Sequence, residues 1–203
     1  MKKNDTLRLC ELALLVAVEI LMSLTPLGFL NLGFLSASLL SIPVAIGAIL
    51  LGPLESTLLG AIFGLCSFFK GFSSPSLLQI AMYSTSIPGV FVVSFGGRVL
   101  MGLCTGLVVR AIRRITGKEG LLDCIAGSLA APLFNTAFYM GLLMLIFYRS
   151  EYITNLIRET GISNPFLLIG FMVGIQAIIE AVTCGIISTA VSKALQAALR
   201  KIG

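Results

Sequence analysis

The sequence contains no histidine and very few charged residues. Only 11% of its 203 residues are Asp, Glu, Lys or Arg, whereas a soluble domain carries about 25%. The absence of histidine excludes Ser-His hydrolases, histidine metal sites and histidine proton relays. The chain is therefore not predicted to be a soluble domain, and three common kinds of reactive site are ruled out.

The motifs of nucleotide hydrolysis and metal catalysis are also missing. There is no Walker A sequence, no HExxH and no cluster of aspartates, so neither ATP hydrolysis by that route nor a metal site is predicted. Paired acids, or a nucleophile with a base, are not found either. The five cysteines form no CxxC pair and are interpreted as small hydrophobic residues. We predict neither an enzyme nor a cofactor.

Hydrophobic residues make up 57% of the chain, and the mean hydropathy is +1.04. They extend from Leu9 almost to Leu199. Six spans of roughly 20 residues need about 120 residues and leave short connections. We predict an all-α membrane protein, with residues 1–203 forming one compact bundle of six transmembrane helices. The candidate helices lie at about 8–24, 37–51, 54–69, 90–114, 121–148 and 165–195.

Two linkers, residues 25–36 and 70–89, are rich in Gly, Ser and Pro but also contain large apolar residues. They are predicted to be semi-apolar loops that fold back onto the bundle. Ten basic residues lie on the side of the N-terminus and four on the other side, which predicts cytoplasmic N- and C-termini and external linkers. The net charge of +5 is thus a topology signal and gives no indication of nucleic-acid binding.

A few polar residues interrupt the apolar helices. Gln176 and Glu180 are four residues apart in the sixth helix, as are Asn135 and Tyr139 in the fifth, where Phe138 is adjacent. Polar residues in membrane helices usually face the bundle interior, so these stripes are candidates for a binding site. The alternative is that they only form interhelical hydrogen bonds.

Arg98 opens the fourth helix on the external side. Its guanidinium can bind a carboxylate through two parallel hydrogen bonds, or it can extend to the lipid headgroups as an interfacial cation. In the first helix, Ala13 and Ala17 form a small-xxx-small pattern that allows another helix to approach closely. Glu19 lies roughly 200° around the helix from Ala17, so one face can meet a partner while the other meets the bundle.

With these features, the sequence resembles the substrate-binding S components of energy-coupling factor (ECF) vitamin transporters. The resemblance covers essentially the whole chain and is most specific in TPLGFLNLGFLSASLLSIPVAIGAILLGPLESTLLGAIFG, from Thr25 to Gly64. Within the family, GGRVLMG and FNTAFYMG look most like the pantothenate-type members. Alternatives are another vitamin (pyridoxine, hydroxymethylpyrimidine or riboflavin) or a self-sufficient ion-coupled secondary transporter with Glu180 as its coupling acid.

The resemblance implies a mechanism and a set of partners. An S component of the bacterial plasma membrane binds its vitamin in an outward-facing pocket, which is built from helices four to six and covered by the first and third loops. It then docks on a transmembrane coupling subunit and topples, and two ATPase subunits supply the energy. Ala13 and Ala17 would lie at the docking contact. The candidate substrate-binding residues are Arg98, Asn135, Phe138, Tyr139, Gln176 and Glu180, although Glu180 is roughly 23 Å along its helix from Pro165 and therefore deep.

Overall fold

The computed structural model describes residues 3–25, 28–32, 35–75, 77–117 and 120–202. These parts of the chain are almost entirely helical, with one two-stranded hairpin and one π-helical segment. The elements are α1 (Lys3–Leu24), β1 (Phe29–Leu32), β2 (Leu35–Ser38), α2 (Ser41–Leu50), α3 (Pro53–Ser73), α4 (Leu77–Thr85), α5 (Ile87–Phe91), the π-helix (Val92–Gly96), α6 (Gly97–Thr116), α7 (Leu121–Phe147), α8 (Glu151–Thr160) and α9 (Pro165–Ile202).

Helices occupy all six positions at which the sequence predicts one. Among the described residues, four helical segments are long and apolar enough to cross a membrane: Pro53–Ser73, Ile87–Thr116, Leu121–Phe147 and Gln176–Ala198. The apolar helix α2 has only 10 residues, and α1 includes Arg8, Glu11 and Glu19. The chain is thus a multi-pass membrane protein by length and composition, and six crossings stay a prediction.

Glycines bring α3 and α6 into backbone contact. A Cβ on Gly60 would lie 2.3 Å from the carbonyl oxygen of Arg98, and one on Gly102 would lie 2.2 Å from that of Ser56. Both distances are far below van der Waals contact, so the helices approach this closely only because these positions are glycine. The contact fixes the start of α6, and with it Arg98, against α3.

The first linker differs from the predicted loop because it contains a β-hairpin. Strand β1 pairs with β2 in antiparallel register, with Phe29 opposite Ser38. The pairing extends past residue 36, so α2 begins at Ser41 rather than at 37. Paired strands satisfy backbone groups that an irregular segment next to an apolar bundle would leave without partners.

The predicted loop at 70–89 is mostly helical, so that part of the fold prediction is wrong. α3 continues to Ser73, and α4 and α5 fill most of the rest. The Ser and Pro residues mark a helix start: the Ser86 side chain accepts a hydrogen bond from the amide of Gly89 at 3.2 Å, and Pro88 lies in the first turn of α5. Ser and Pro favour both loops and helix N-termini, which explains the error.

Candidate functional site

Arg98 lies in the first turn of α6 and is buried inside the bundle, with 7% of its surface exposed. Its guanidinium carbon lies 4.2 Å from the ring centroid of Tyr139 and 5.2 Å from that of Phe63. One terminal nitrogen, Nη1, donates a long hydrogen bond of 3.4 Å to the carbonyl of Val93 in the π-helix. An arginine that extends to lipid headgroups would be exposed, so the interfacial alternative does not describe this side chain.

The buried charge of Arg98 is only partly compensated. No described carboxylate lies within ion-pair distance of it, and its Nε has no hydrogen-bond partner in the described structure. Glu180 attracts it from farther away. Two aromatic faces stabilise a cation by cation–π attraction, but a buried guanidinium without a close counter-ion remains costly. An anion that reached this guanidinium would therefore be stabilised by it.

Glu180 on α9 is buried, with 2% of its surface exposed. Its Oε1 accepts a 2.6 Å hydrogen bond from the backbone amide of Ser38 and a 3.3 Å bond from Nε2 of Gln176. The hairpin thus reaches the depth at which Glu180 lies. Although Glu180 lies deep in the bundle, it still contacts the hairpin of the first linker, which was predicted to cover the pocket.

The three candidate residues of α7 have different environments. Tyr139 contacts Arg98, as described above. Asn135 is buried one turn earlier, and its side-chain oxygen has no hydrogen-bond partner among the described residues. Phe138 instead stacks on Phe134, with ring centroids 5.6 Å apart, and packs against an apolar core.

The structure thus links the two polar stripes through a third helix. Arg98 of α6 lies on Tyr139 of α7 and is attracted by Glu180 of α9, which in turn holds Gln176. Asn135 lies beside this group along α7, whereas Phe138 belongs to the apolar packing around it. Among the described residues, no three His, Cys, Asp or Glu side chains are grouped to hold a metal ion.

Helix α4 lies close to the same group. The hydroxyl of Tyr83 donates a 2.6 Å hydrogen bond to the carbonyl of Phe68, and its ring contacts Phe68 and Phe72. Burial and, more weakly, the nearby Tyr139 raise the pKa of the Tyr83 hydroxyl above its ordinary value. The hydrogen bond of Tyr83 to Phe68 therefore holds α4 against α3.

Two features of the site were not foreseen from the sequence. Phe63 lies between Gly60 and Gly64 in an apolar helix, and its ring faces Arg98. The sequence gives no sign of this contact apart from Gly60, where the structure shows that α3 packs closely against the backbone of Arg98. The backbone amide of Ser38 has no sequence signal at all. The hydroxyls of Ser38 and Ser41, where the hairpin meets α2, are also buried without a partner among the described residues.

The first helix has the predicted two faces. Leu15, Glu19 and Ser23 are buried against the bundle, while Ala13 and Ala17 are exposed on the opposite side. Both carboxylate oxygens of Glu19 are buried without a hydrogen-bond partner among the described residues. The alanine face is open to a partner, and its role in docking stays a prediction.

Comparison with known proteins assigns the family. The sequence model of the family described as "ECF transporter, substrate-specific component" matches residues 7–192. The match runs from α1 into α9 and includes every candidate residue named above. No individually curated protein matches the sequence. The family is a class of transporter components and not of enzymes, and the chain belongs to it as an ECF transporter substrate-specific component.

Proposed function

We propose that this chain is the vitamin-binding subunit of an ECF importer for an anionic vitamin, with pantothenate as the preferred substrate. The observation that supports this proposal is the buried guanidinium of Arg98, which has no close counter-ion in the described structure. A carboxylate placed against it forms charge-assisted hydrogen bonds, which are roughly twice as strong as neutral ones.

The neutral groups near Arg98 suit the rest of such a ligand. Pantothenate carries hydroxyls and an amide besides its carboxylate. The unpartnered oxygen of Asn135 can accept from an amide or a hydroxyl, and Tyr139 and Gln176 supply further polar groups. A buried polar atom without a partner costs about 1–3 kcal/mol, so a ligand that satisfies these atoms gains affinity from them.

The proposed transport cycle uses the surrounding elements. The hairpin and α4 cover the bound vitamin from the external side, with both termini in the cytoplasm. The Ala13–Ala17 face of α1 then docks on the transmembrane coupling subunit, and the protein topples in the bacterial plasma membrane to release the vitamin inward. Two ATPase subunits, which the resemblance to ECF transporters implies, would drive the cycle, and this chain itself carries no Walker A sequence.

A titration of Arg98→Ala with pantothenate tests the proposal. We expect affinity to fall at least about tenfold, since losing a charge-assisted hydrogen bond costs ~1.5–3 kcal/mol and ~1.4 kcal/mol corresponds to one decade. Arg98→Lys keeps the charge but loses the planar guanidinium that binds a carboxylate through two hydrogen bonds. Its pantothenate affinity should lie between those of the wild type and Arg98→Ala. Arg149→Ala, which removes an exposed arginine, is the matched control. Undiminished affinity in well-folded Arg98→Ala protein would overturn the carboxylate clamp.

A second candidate is an uncharged vitamin such as pyridoxine. The attraction between Arg98 and Glu180 favours it, because this attraction offsets part of the Arg98 charge without a charged ligand. In that case, Arg98→Ala destabilises the protein but leaves pyridoxine affinity nearly unchanged. Titrating the same variant with both vitamins therefore distinguishes the two substrates.

A further inference from the structure

A cavity lies toward the other end of α6 from Arg98, where the turn between α2 and α3 meets the last turns of that helix. The cavity has a volume of about 310 Å³. Its floor is closely packed, because a Cβ on Gly106 would lie 2.4 Å from the Cα of Pro53. Its lining residues are Ala48, Gly52, Pro53, Gly106, Val109, Arg110, Arg113 and Arg114.

The three arginines of this cavity are not equivalent. Arg113 forms an ion pair with Asp123, with Nε and Oδ2 2.7 Å apart, and also donates to the carbonyl of Ile49. Arg110 and Arg114 are exposed and form no ion pair with a carboxylate of the described residues. Arg113 therefore stabilises the fold, whereas Arg110 and Arg114 place uncompensated positive charge at the edge, or rim, of the cavity.

The two rim arginines continue an apolar stripe. Leu103, Leu107, Arg110 and Arg114 are spaced by four, three and four residues, so they share one face of α6. Both leucines are exposed, Leu103 at 38% and Leu107 at 47%, on a helix apolar enough to cross a membrane. This face thus changes from apolar to cationic along the helix. It is complementary to an amphiphile that has an apolar chain and an anionic headgroup.

We infer that this cleft binds the phosphate group of an anionic phospholipid, whose acyl chain lies along Leu103 and Leu107. A soluble phosphate would use the arginines but gain nothing from the apolar stripe, so the lipid is the better source of this chemistry. Arg98 and Arg110 are separated by about 18 Å along the helix. The lipid site is therefore distinct from the proposed vitamin site.

The test measures retention of phosphatidylglycerol by the detergent-purified full chain, using native mass spectrometry. Arg110→Gln/Arg114→Gln should bind it roughly 30-fold more weakly, from about 1 kcal/mol for each basic residue near an anionic headgroup. Arg149→Gln/Arg158→Gln removes the same charge from two other exposed sites and should retain the lipid. Lys193→Gln, which removes one exposed cation of α9, should match the wild type.

The other arms of the experiment separate the possible sources of phosphate. Phosphatidylcholine should bind the wild type weakly, and millimolar inorganic phosphate should not displace phosphatidylglycerol. If Arg110→Gln/Arg114→Gln (the rim variant) retained as much lipid as Arg149→Gln/Arg158→Gln, the site would be overturned. Lipid retention would then depend only on the overall positive charge of the protein. Displacement by inorganic phosphate, together with no preference between the two lipids, would overturn the lipid as ligand. Vitamin binding is expected to be unchanged in the rim variant.

Discussion

At the residue scale, the informative side chains are polar groups that the bundle buries without fully satisfying them. The sequence pointed to Arg98, Asn135 and Glu180 because a polar residue in an apolar helix needs a physical reason. It could not point to Phe63, since one phenylalanine among many apolar residues carries no signal. The Ser38 amide was equally invisible, because every non-proline residue has one.

Glu180 provides a prediction about stability. Glu180→Ala removes the acceptor of the Ser38 amide and of Gln176, so we expect a loss of about 1–3 kcal/mol and a lower unfolding midpoint in detergent. Glu180→Gln keeps an acceptor oxygen at the same position and should cost less. Glu151→Ala, at an exposed residue of α8, should have little effect. If the Gln and Ala variants were equally destabilised, the charge of Glu180 rather than its hydrogen bonds would be what holds the hairpin.

At the element scale, the long helices were predictable and the connections were not. Hydropathy locates α1, α3, α7 and α9 because each continues for five or more turns. The segments 25–36 and 70–89 were assigned as loops from their Gly, Ser and Pro content, and both have regular structure. In the second, Gly71 packs against Tyr83, since an added Cβ would lie 2.5 Å from the Tyr83 hydroxyl oxygen. Tertiary packing of this kind cannot be read from composition.

The exposed alanine face of α1 leads to a prediction about docking. Ala13→Trp or Ala17→Trp should abolish ATP-driven vitamin uptake by cells that contain the complete transporter, because a bulky side chain blocks close helix approach. Vitamin binding to the isolated protein should stay nearly unchanged, since both positions point away from the bundle. Leu14→Trp, at a position already occupied by a large exposed side chain, is the control.

Two results would contradict this interpretation. A parallel loss of binding and uptake would show that the substitutions damage the fold rather than docking. Normal uptake by the tryptophan variants, or uptake that persists without ATPase subunits, would favour the self-sufficient ion-coupled transporter.

At the scale of the whole molecule, helix packing creates the site. The glycine contact between α3 and α6 places Arg98 between Phe63 and Tyr139, and α9 brings Glu180 within electrostatic reach. The resemblance implied a pocket built from the helices that are now α6, α7 and α9, but the sequence did not predict which side chains would meet there. Such an arrangement depends on helix crossings, which hydropathy does not specify.

The most direct test of the central claim, that Arg98 binds the carboxylate of the vitamin, varies both partners in one cycle. Wild-type and Arg98→Gln proteins are titrated with pantothenate and with its alcohol analogue, in which a CH₂OH group replaces the carboxylate. We predict that the wild type prefers pantothenate at least about tenfold and that Arg98→Gln binds both ligands about equally, a coupling of ~1.4 kcal/mol or more. An equal preference for pantothenate in both proteins would contradict the account.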